Sequence, residues 1–443
     1  MTKVACPALV ISAPSSGSGK TTVVAAIARY FTNQGKDVRV FKTGPDFIDP
    51  AFLATASKNA VYQLDFWMCG ERHCKQLIAQ AALQADLILI EGVMGMFDGQ
   101  CSSADIAAVL GIPVLAVIDA GKMANTFGAV AHGLATYRND IDMFGVFANR
   151  VGSETHSQML SQSLPGDLKY FGYLPKRLDI SLPERHLGLV QAQELVDIEQ
   201  RLDLLADLIG QNGHLSLPPP VCFEVQYDEP ATMCLEDVVI AIAKDSAFSF
   251  IYQANIDVLR QMGATLRFFS PIRGETLPIC DALYLPGGYP ELHLTELSQN
   301  TTLINQILEH INSNKPVLAE CGGMLFLNKS LTNADGRCGE LVGALDAHST
   351  MQTKLAALGL VEGDLEPNNS LRGHTFHYSK TDSYEQVICR PVSQRGKILD
   401  PVWIKNRVVA SYVHWYFPYN SQLVGKIFRG ELEHALPAEA GRR

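Results

Sequence analysis

The residues that most clearly indicate a reaction, by their type and by their spacing, surround a cysteine in the second half of the chain. Segment 315–327, KPVLAECGGMLFL, predicts a buried strand, a sharp turn at Cys321 followed by two glycines, and a helix. Small residues after a nucleophile permit the strained turn that presents its side chain at a helix N-terminus. The helix dipole is expected to lower the pKa of the thiol there. The pattern predicts a nucleophile, and a cysteine that only packs in the core is the alternative.

A thiol nucleophile needs hydrogen-bond donors for the oxyanion of its tetrahedral intermediate. Segment 283–291, LYLPGGYPE, ends a predicted strand with Gly287 and Gly288. Glycine allows the backbone to approach a substrate closely. We therefore expect the N–H groups of Gly287 and Gly288 to form the oxyanion hole.

A thiol nucleophile also needs a base that accepts its proton. Segment 408–417, VVASYVHWYF, places His414 at the end of a predicted strand, and this context makes His414 the predicted base. A second polar cluster in GHTFHYS is equally well explained by side chains that only stabilise a β-turn. Its members are His374, His377 and Tyr378.

A different chemistry is indicated near the N-terminus. Segment 12–22, SAPSSGSGKTT, follows a strand and opens a helix, which is the context of a phosphate-binding loop. Glycines let the backbone N–H groups turn inward, and the helix dipole favours an anion. Lys20 would neutralise phosphates, and the Thr21 hydroxyl would bind Mg²⁺. A proline replaces the first glycine of the usual motif, so a glycine–serine turn that caps an ordinary helix is the alternative. The predicted ATP-binding residues here are Gly17, Ser18, Gly19, Lys20, Thr21 and Thr22.

Two carboxylates are candidates for the metal side of this site. Asp46 lies in KTGPDFIDP (42–50), and Glu91 closes the strand DLILIEG (86–92). Both are at predicted carboxyl ends of strands, where ligands bind in open α/β sheets. Mg²⁺ prefers one or two carboxylates beside phosphate and water. A helix cap or a solvated loop charge is the alternative for each residue.

The segment EGVMGMFDG (91–99) follows the same strand. Its glycines and its Asp-Gly end predict a flexible loop beside an acceptor substrate, with Asp98 as the polar residue. A tight turn closed by hydrophobic plugs is the simpler interpretation. The apolar residues in question are Met94, Met96 and Phe97.

Near-continuous apolar strands alternate with helical segments in the first half, for example a helix at 21–35. Such runs are typical of strands covered on both faces, and the order predicts a doubly wound parallel α/β sheet. The predicted strands are 8–14, 37–44, 86–92, 113–120, 143–150 and 169–175.

A second α/β unit follows a helix predicted at about 191–210 and a stretch with three consecutive prolines. Its predicted strands are 238–245, 264–271, 282–288 and 316–323, and its predicted helices are 251–262 and 296–313. The expected domains are 1–212 for the ATP site and 236–430 for the cysteine site, with a linker at 213–235 and a polar tail at 431–443.

Composition narrows the possible partners. The chain has 443 residues, 47% hydrophobic and 19% charged, and a net charge of −10. An acidic protein of this kind is not expected to bind nucleic acid or an anionic membrane. Apolar runs are shorter than a membrane span, and the N-terminus does not resemble a secretory signal, so a cytoplasmic location is expected. The ten scattered cysteines are expected to be reduced, and Cys69, His73 and Cys74 lack a usual zinc spacing.

The two sites together resemble the cobyrinic acid a,c-diamide synthase family of corrinoid biosynthesis over nearly the whole chain. The resemblance implies a P-loop-type, dethiobiotin synthetase-like domain followed by a flavodoxin-like class I glutaminase domain. The motifs KTGPDFIDP and EGVMGMFDG are highly specific for this family, whereas many ATPases share the phosphate loop. The other motifs that carry it are NRVGS (149–153), PERHLGL (183–189), LPGGYPE, AECGGM, GHTFHYS and SYVH.

This resemblance also implies roles for individual residues. Lys20 and Thr21 would bind ATP and Mg²⁺, Asp46 and Glu91 would face the metal, and Asn149 would contact the adenine. Asp49 and Asp98 would orient or activate the tetrapyrrole carboxylates. Cys321 would be the nucleophile and His414 its base.

The implied reaction uses ATP to convert the c and a side-chain carboxylates of a corrinoid acid into acyl phosphates, which ammonia from L-glutamine then amidates. Many class I glutaminases have a glutamate two residues after the histidine, but Tyr416 stands there in this chain. A Cys–His dyad with weak basal glutaminase activity is therefore expected.

Two other interpretations stay open. A sibling amidotransferase could act on hydrogenobyrinic acid, on a nickel tetrapyrrole or as a cobyric acid synthase, although EGVMGMFDG disfavours the last. A partition-type ATPase switch with a non-catalytic partner module is a different class, and Ser15 in place of its signature lysine disfavours it. The metal content of the macrocycle, the order of amidation and the oligomeric state cannot be read from the sequence.

Overall fold

The fold is taken from a computed structural model, which describes residues 2–177, 197–225 and 232–433 and the backbone of two short strands at 184–185 and 188–189. The chain forms two compact units, Met1–Asp228 and Glu229–Arg443. Among the described residues, no helix is both long enough and apolar enough to span a bilayer. Four predicted features lie partly or wholly outside the described residues: the motif at 183–189, the start of the helix at 191–210, part of the linker at 213–235, and the end of the tail.

The first unit is a sheet of parallel strands with helices between them, as predicted. The strand order is β3-β2-β4-β1-β5-β6-β7, and β10 pairs with β1 outside this path. Its elements are β1 Thr2–Ser12, α1 Lys20–Asn33, β2 Val38–Thr43, α2 Asp49–Ser57, β3 Tyr62–Leu64, a π-helical turn Phe66–Gly70, α3 Glu71–Ala82, β4 Leu87–Glu91, α4 Ser103–Leu110, β5 Val114–Asp119, α5 Thr126–Thr136, β6 Met143–Val151, α6 Glu154–Gln162, β7 Tyr170–Pro175, β8 Glu184–Arg185, β9 Gly188–Leu189, α7 Ile198–Asn212 and β10 Pro220–Val225.

The apolar patterns explain this sheet. All five residues of β4 are buried because helices cover both of its faces, and α1 buries Val23, Val24 and Phe31. Parallel pairing aligns the carboxyl ends of β1, β2 and β4, so that Glu91 lies beside both Ile11 and Lys42. The loops with the predicted ATP-site residues therefore leave the same edge of the sheet.

Residues 220–225 differ from the prediction of a linker. They form β10, which pairs antiparallel with β1 from Thr2↔Val225 to Pro7↔Pro220. The consecutive prolines masked this strand in the sequence, since proline is tolerated in edge strands, where one backbone N–H can be dispensed with.

The second unit contains a seven-stranded sheet with the order β12-β11-β13-β14-β24-β23-β21, and two four-stranded sheets, β16-β15-β17-β20 and β22-β18-β19-β25. Its elements are β11 Val239–Ala243, α8 Gln253–Gln261, β12 Thr265–Phe269, β13 Ala282–Leu285, α9 Leu294–Gln299, α10 Thr301–Asn312, β14 Val317–Glu320, α11 Gly322–Leu327, β15 Asn328–Thr332, β16 Cys338–Glu340, β17 Leu345–Met351, β18 Ala357–Glu366, β19 Asn369–His377, β20 Ser379–Ser383, β21 Gln386–Cys389, β22 Val392–Ser393, β23 Val402–Lys405, β24 Val408–Ser411, β25 Val413–Trp415 and α12 Ser421–Arg429, with 3₁₀ turns at Pro271–Arg273, Pro290–Leu292 and Phe417–Asn420.

Two segments of this unit are divided where the sequence predicts one element. The helix expected at 296–313 is two helices, because the Asn300 side chain accepts a hydrogen bond from the Leu303 N–H (3.2 Å) and caps α10. The strand expected around His414 breaks at Tyr412, so β24 lies in the seven-stranded sheet and β25 pairs with β19. His414 is therefore in the middle of β25 and not at the end of one long strand.

Candidate active sites

The phosphate loop of the first unit has the backbone that its glycines predict. Gly17 and Gly19 have φ values of 76° and 85°, a left-handed conformation that favours glycine. A Cβ atom at Gly19 would overlap the Asn149 amide, whose Nδ2 donates a hydrogen bond to the Ser18 carbonyl (2.9 Å). Asn149 thus fixes the loop from β6, and its contact with an adenine stays a prediction.

Lys20 is buried and folded back over this loop. Its Nζ donates hydrogen bonds to the carbonyl oxygens of Met94 (2.6 Å) and Ser15 (3.4 Å), and burial lowers the pKa of its ammonium. Charge-assisted bonds to phosphate are stronger than bonds to neutral carbonyls. An anionic ligand could therefore take over Lys20 with a gain in hydrogen-bond energy.

A buried lysine that the sequence analysis missed organises the carboxylates of the site. Lys42 Nζ lies 2.6 Å from Asp49 Oδ2, 2.9 Å from Glu91 Oε1 and 3.7 Å from Asp46 Oδ2. Although burial alone would lower it, these carboxylates raise the pKa of Lys42, while burial and Asp49 raise the pKa of Asp46 to about 7. The register of β2 against β4, which aligns Lys42 with Glu91, is the signal that could have identified this residue.

The residues predicted to hold magnesium lie together and have the chemistry for it. Thr21 Oγ1 donates a hydrogen bond to Glu91 Oε1 (2.7 Å). Glu91 Oε2 is buried, with no hydrogen-bond partner within the described ranges. The Asp46 side chain keeps 28% of its surface accessible. A hydroxyl and carboxylate oxygens are suitable ligands for Mg²⁺ in company with phosphate oxygens.

The loop at 91–99 is held against the phosphate loop. The Met96 N–H donates to the Ala13 carbonyl (2.8 Å), and the Asp98 carboxylate accepts from the Gly95 N–H (3.1 Å). Met96 is buried as the plug that the simpler interpretation expected, whereas Met94 and Asp98 are exposed. The role of Asp98 toward a substrate stays a prediction.

The predicted nucleophile of the second unit stands on a strained turn. Cys321 has φ = 43°, between the end of β14 and the start of α11, and its N–H donates to the Ser411 carbonyl (2.7 Å). The expected fall in thiol pKa is wrong for this structure: burial, and then the charge of Glu291, raise the pKa of Cys321 to about 12. Desolvation outweighs the field of the short helix α11, so the resting side chain is a thiol.

The predicted base and the predicted oxyanion glycines surround this thiol. A Cβ atom at Gly287 would overlap the His414 ring and would lie 3.3 Å from Cys321 Cβ. A Cβ atom at Gly322 would lie 2.9 Å from the Gly288 backbone nitrogen. Burial, together with His374 and His377, lowers the pKa of His414, so its imidazole is neutral and has one ring nitrogen without a proton.

The histidines of GHTFHYS lie on strand β19 and not in a β-turn. His374 is opposite His414 in the β19–β25 pair, with ring centroids 6.4 Å apart, and burial lowers its pKa to about 3. His377 stacks on Tyr412 at 3.5 Å and lies 3.3 Å from the Asp400 carboxylate. Tyr378 follows β19, and its ring meets that of Phe376. These residues support the strand that carries His414.

Comparisons with known proteins give a match for each of the two units. Residues 9–190 match the CobQ/CobB/MinD/ParA nucleotide binding domain, and residues 239–421 match the CobB/CobQ-like glutamine amidotransferase domain. The hydrogenobyrinate a,c-diamide synthases of Pseudomonas aeruginosa and Stutzerimonas stutzeri are 52% and 50% identical, over 95% and 97% of this chain and 97% and 100% of theirs. The cobyrinate a,c-diamide synthase of Herminiimonas arsenicoxydans is 43% identical over 96% of this chain and 97% of its own.

The chain belongs to the a,c-diamide synthase family. The predicted family and fold class are confirmed, as are a nucleotide-binding domain and a glutamine amidotransferase domain. The residue assignments within the two domains stay predictions.

The amidotransferase domain of this member of the a,c-diamide synthase family contains two buried acids whose importance the sequence did not indicate. Glu291 is buried, which raises the pKa of its carboxyl to about 7. Glu320 is buried beside the nucleophile, and its oxygens accept hydrogen bonds from the Tyr284 hydroxyl (2.8 Å) and the Trp415 N–H (3.0 Å). An acid directly before the cysteine in AECGG was the available signal, but only burial distinguishes it from a surface charge.

Proposed function

We propose that the chain is an ATP- and glutamine-dependent ligase that amidates the a- and c-side-chain carboxylates of hydrogenobyrinic or cobyrinic acid in cobalamin biosynthesis. The observation that carries this proposal is that one chain contains both sites. The first is a phosphate loop beside the buried Lys42–carboxylate cluster, and the second is Cys321 with the neutral His414 close to the same glycine, Gly287. The relatives from Pseudomonas aeruginosa and Stutzerimonas stutzeri, at 52% and 50% identity, are named for hydrogenobyrinate, which favours the cobalt-free acid.

The proposed glutaminase reaction begins from neutral groups. His414 takes the thiol proton as the sulfur of Cys321 attacks the amide carbon of glutamine, and the N–H groups of Gly287 and Gly288 stabilise the oxyanion. Ammonia leaves, and water hydrolyses the thioester to glutamate. The raised pKa of Cys321 supports a coupled transfer, because little thiolate is present before glutamine binds.

The proposed synthetase reaction activates a carboxylate that is otherwise a poor acceptor for ammonia. A carboxylate oxygen attacks the γ-phosphorus of ATP, giving an acyl phosphate and ADP, and ammonia then displaces phosphate from the acyl carbon. Bound Mg²⁺ would neutralise charge on the phosphates. Thr21, Glu91 and Asp46 would hold it, and Lys20 would contact the transferred group.

Asp49 and Asp98 are the proposed residues on the corrinoid side of this site. Asp49 is in direct contact with Lys42, which, against the cost of burial, lowers the pKa of its carboxyl. Because Lys42 balances its charge, the Asp49 carboxylate would stay ionised and would accept hydrogen bonds on the substrate side of the site. Asp98 lies on an exposed loop turn, where a large planar ligand could reach it.

Mass spectrometry of the products tests this function. Hydrogenobyrinic acid and cobyrinic acid are each incubated with ATP, Mg²⁺ and glutamine, and we expect two successive acid-to-amide shifts on one of them. Glutamate release is measured with and without the corrinoid acid. A partition-type ATPase would hydrolyse ATP but release no glutamate in either assay, and that result would overturn the proposal.

A further inference from the structure

The catalytic pair of the second unit is divided between two sheets. Cys321 follows β14 of the seven-stranded sheet, whereas His414 lies on β25 of a four-stranded sheet. The strand is interrupted at Tyr412, between the end of β24 and the start of β25. A thiol and its base must meet within hydrogen-bond reach, so some contact has to keep β25 aligned with β14.

Glu320 makes such a contact. Its backbone belongs to β14 directly before the nucleophile, and its Oε1 accepts a hydrogen bond from the Trp415 N–H at 3.0 Å. Trp415 is the residue directly after His414. One residue therefore joins the strand that ends at the thiol to the strand that carries the base.

The same backbone unit is held from a second direction. Asn255, at the start of α8, donates its Nδ2 to the Trp415 carbonyl at 2.7 Å and accepts from the Phe417 N–H at 2.8 Å. Tyr416 instead uses its N–H for the strand pair, donating to the Arg372 carbonyl (2.9 Å). The side chains of Glu320 and Asn255 thus bind the backbone groups of Trp415 on the edge of β25 that does not pair with β19.

Glu320 is itself oriented and shielded. Its Oε2 accepts from the Tyr284 hydroxyl at 2.8 Å, and Glu320, Tyr284 and Asn255 are each at most 1% exposed. Burial raises the pKa of Glu320 to about 8, so the group is mainly a neutral acid at pH 7. A neutral acid still offers a carbonyl oxygen to the Trp415 N–H, as the amide of glutamine would.

We propose that Glu320 is a positioning residue for the glutaminase reaction, which holds His414 in register with Cys321 by binding the backbone N–H of Trp415. The proposal rests on the proposed roles of Cys321 and His414. It assigns this task to the residue directly before the nucleophile, in a chain whose residue two positions after the histidine is Tyr416.

Steady-state glutamate release by the full-length protein tests this role. Glu320→Ala should lower kcat about 10- to 100-fold with the KM for glutamine changed less than about threefold, since the base is displaced but the substrate pocket stays. Glu320→Gln should restore kcat to within about threefold of the parent. In Glu320→Ala the rate should also rise steadily from pH 8 to 10, because hydroxide must replace a misplaced base.

Matched variants separate positioning from general stability. Glu366 is another buried acid of this unit, bound to Lys426 and to the Glu433 N–H, and Glu366→Ala should lower the Tm while leaving kcat unchanged. Tyr284→Phe and Asn255→Ala should give smaller losses of kcat than Glu320→Ala. They also serve if Glu320→Ala does not fold, and an unchanged kcat in both would then overturn the proposal.

The positioning role is also overturned if Glu320→Ala keeps kcat within twofold, if its defect lies in KM alone, or if Glu366→Ala shows the same kinetic loss. Cys321→Ala distinguishes this failure from failure of the proposed function. If Cys321→Ala releases no glutamate while Glu320→Ala is normal, only the positioning role is wrong. If Cys321→Ala still releases glutamate, the assigned nucleophile is wrong.

Discussion

The two candidate sites differ in the protonation states of their buried groups. In the first unit, Lys42 lies buried near Asp46, Asp49 and Glu91, and the pKa of Lys42 is raised while that of Asp49 is lowered, so these two form a charged pair. In the second unit, burial keeps the Cys321 thiol, the His414 imidazole and the Glu320 carboxyl in their neutral forms at pH 7. Phosphoryl transfer requires charge stabilisation that is already in place, whereas a thiol can wait for substrate before it loses its proton.

Substitution of one reactive residue in each site gives the largest expected losses of amidation activity. Cys321→Ala should lower glutamine-dependent amidation by at least about 10³-fold but leave ammonia-dependent amidation intact, because only the nucleophile is lost. Lys20→Ala should lower amidation from both nitrogen sources. Amide formation is measured by mass spectrometry with glutamine or with high ammonium chloride. Loss of the ammonia reaction in folded Cys321→Ala would contradict two separable chemistries.

Removal of the buried cation tests the charged site. Lys42→Met leaves three carboxylates without their counter-ion, so we expect a loss of about 3–5 kcal/mol in the free energy of unfolding and about 100-fold in amidation with either nitrogen source. Added Mg²⁺ should recover part of the Tm. Lys36→Met is the control, since its ion pair with Asp86 is partly exposed, with 41% and 45% of the two side chains accessible, and contributes little. Equal effects in the two variants would refute a special role for Lys42.

The neutral site predicts a pH dependence of stability. Glu320 has a pKa of about 8 when folded, against 4.5 for a free side chain, so it binds more protons in the folded state across that window. Its contribution to the free energy of unfolding is therefore present below pH 4.5 and is lost as the pH rises through 8. Denaturant titrations of Glu320→Gln should show a flatter decline from pH 5 to 8. A parallel pH profile in the variant and the parent would disprove a neutral Glu320.

The smallest expected effect concerns the charge nearest the thiol. Burial is the main cause of the raised Cys321 pKa, and the Glu291 carboxylate is the next. Glu291→Gln should therefore lower the pKa of the thiol modestly and speed its alkylation by iodoacetamide at pH 8 about two- to threefold. Glu296→Gln, an exposed acid on α9, should leave that rate unchanged. A slower reaction in Glu291→Gln would show that the acid activates the thiol.

The sequence predicted those parts of the sites that local pattern determines. The strand–turn–helix around Cys321 and the phosphate loop around Lys20 are set by glycines and apolar runs within a few residues. Glu91 was accessible to prediction because it ends an apolar strand. The residues at these positions have the geometry that their motifs suggest.

Residues whose role depends on distant neighbours were not predictable in this way. Lys42 and Glu320 are ordinary charged residues in the sequence, and only strand register and burial give them their partners. The raised pKa of Cys321 has the same origin, since desolvation is a property of the whole fold. The break at Tyr412 escaped the periodicity because both strands on either side of it are apolar.

The pairing of β10 with the start of β1 has a consequence for biosynthesis. Thr2 is synthesised before its partner Val225, which is made only after all the other described elements of the first unit. A nascent chain that ends before residue 220 therefore exposes an unsatisfied edge along β1, which is a template for wrong pairing. The pairing of β10 with β1 can form only after residues 220–225 have been translated. Because such long-range contacts form slowly, this step sets the earliest time at which the sheet of the nucleotide-binding domain is complete.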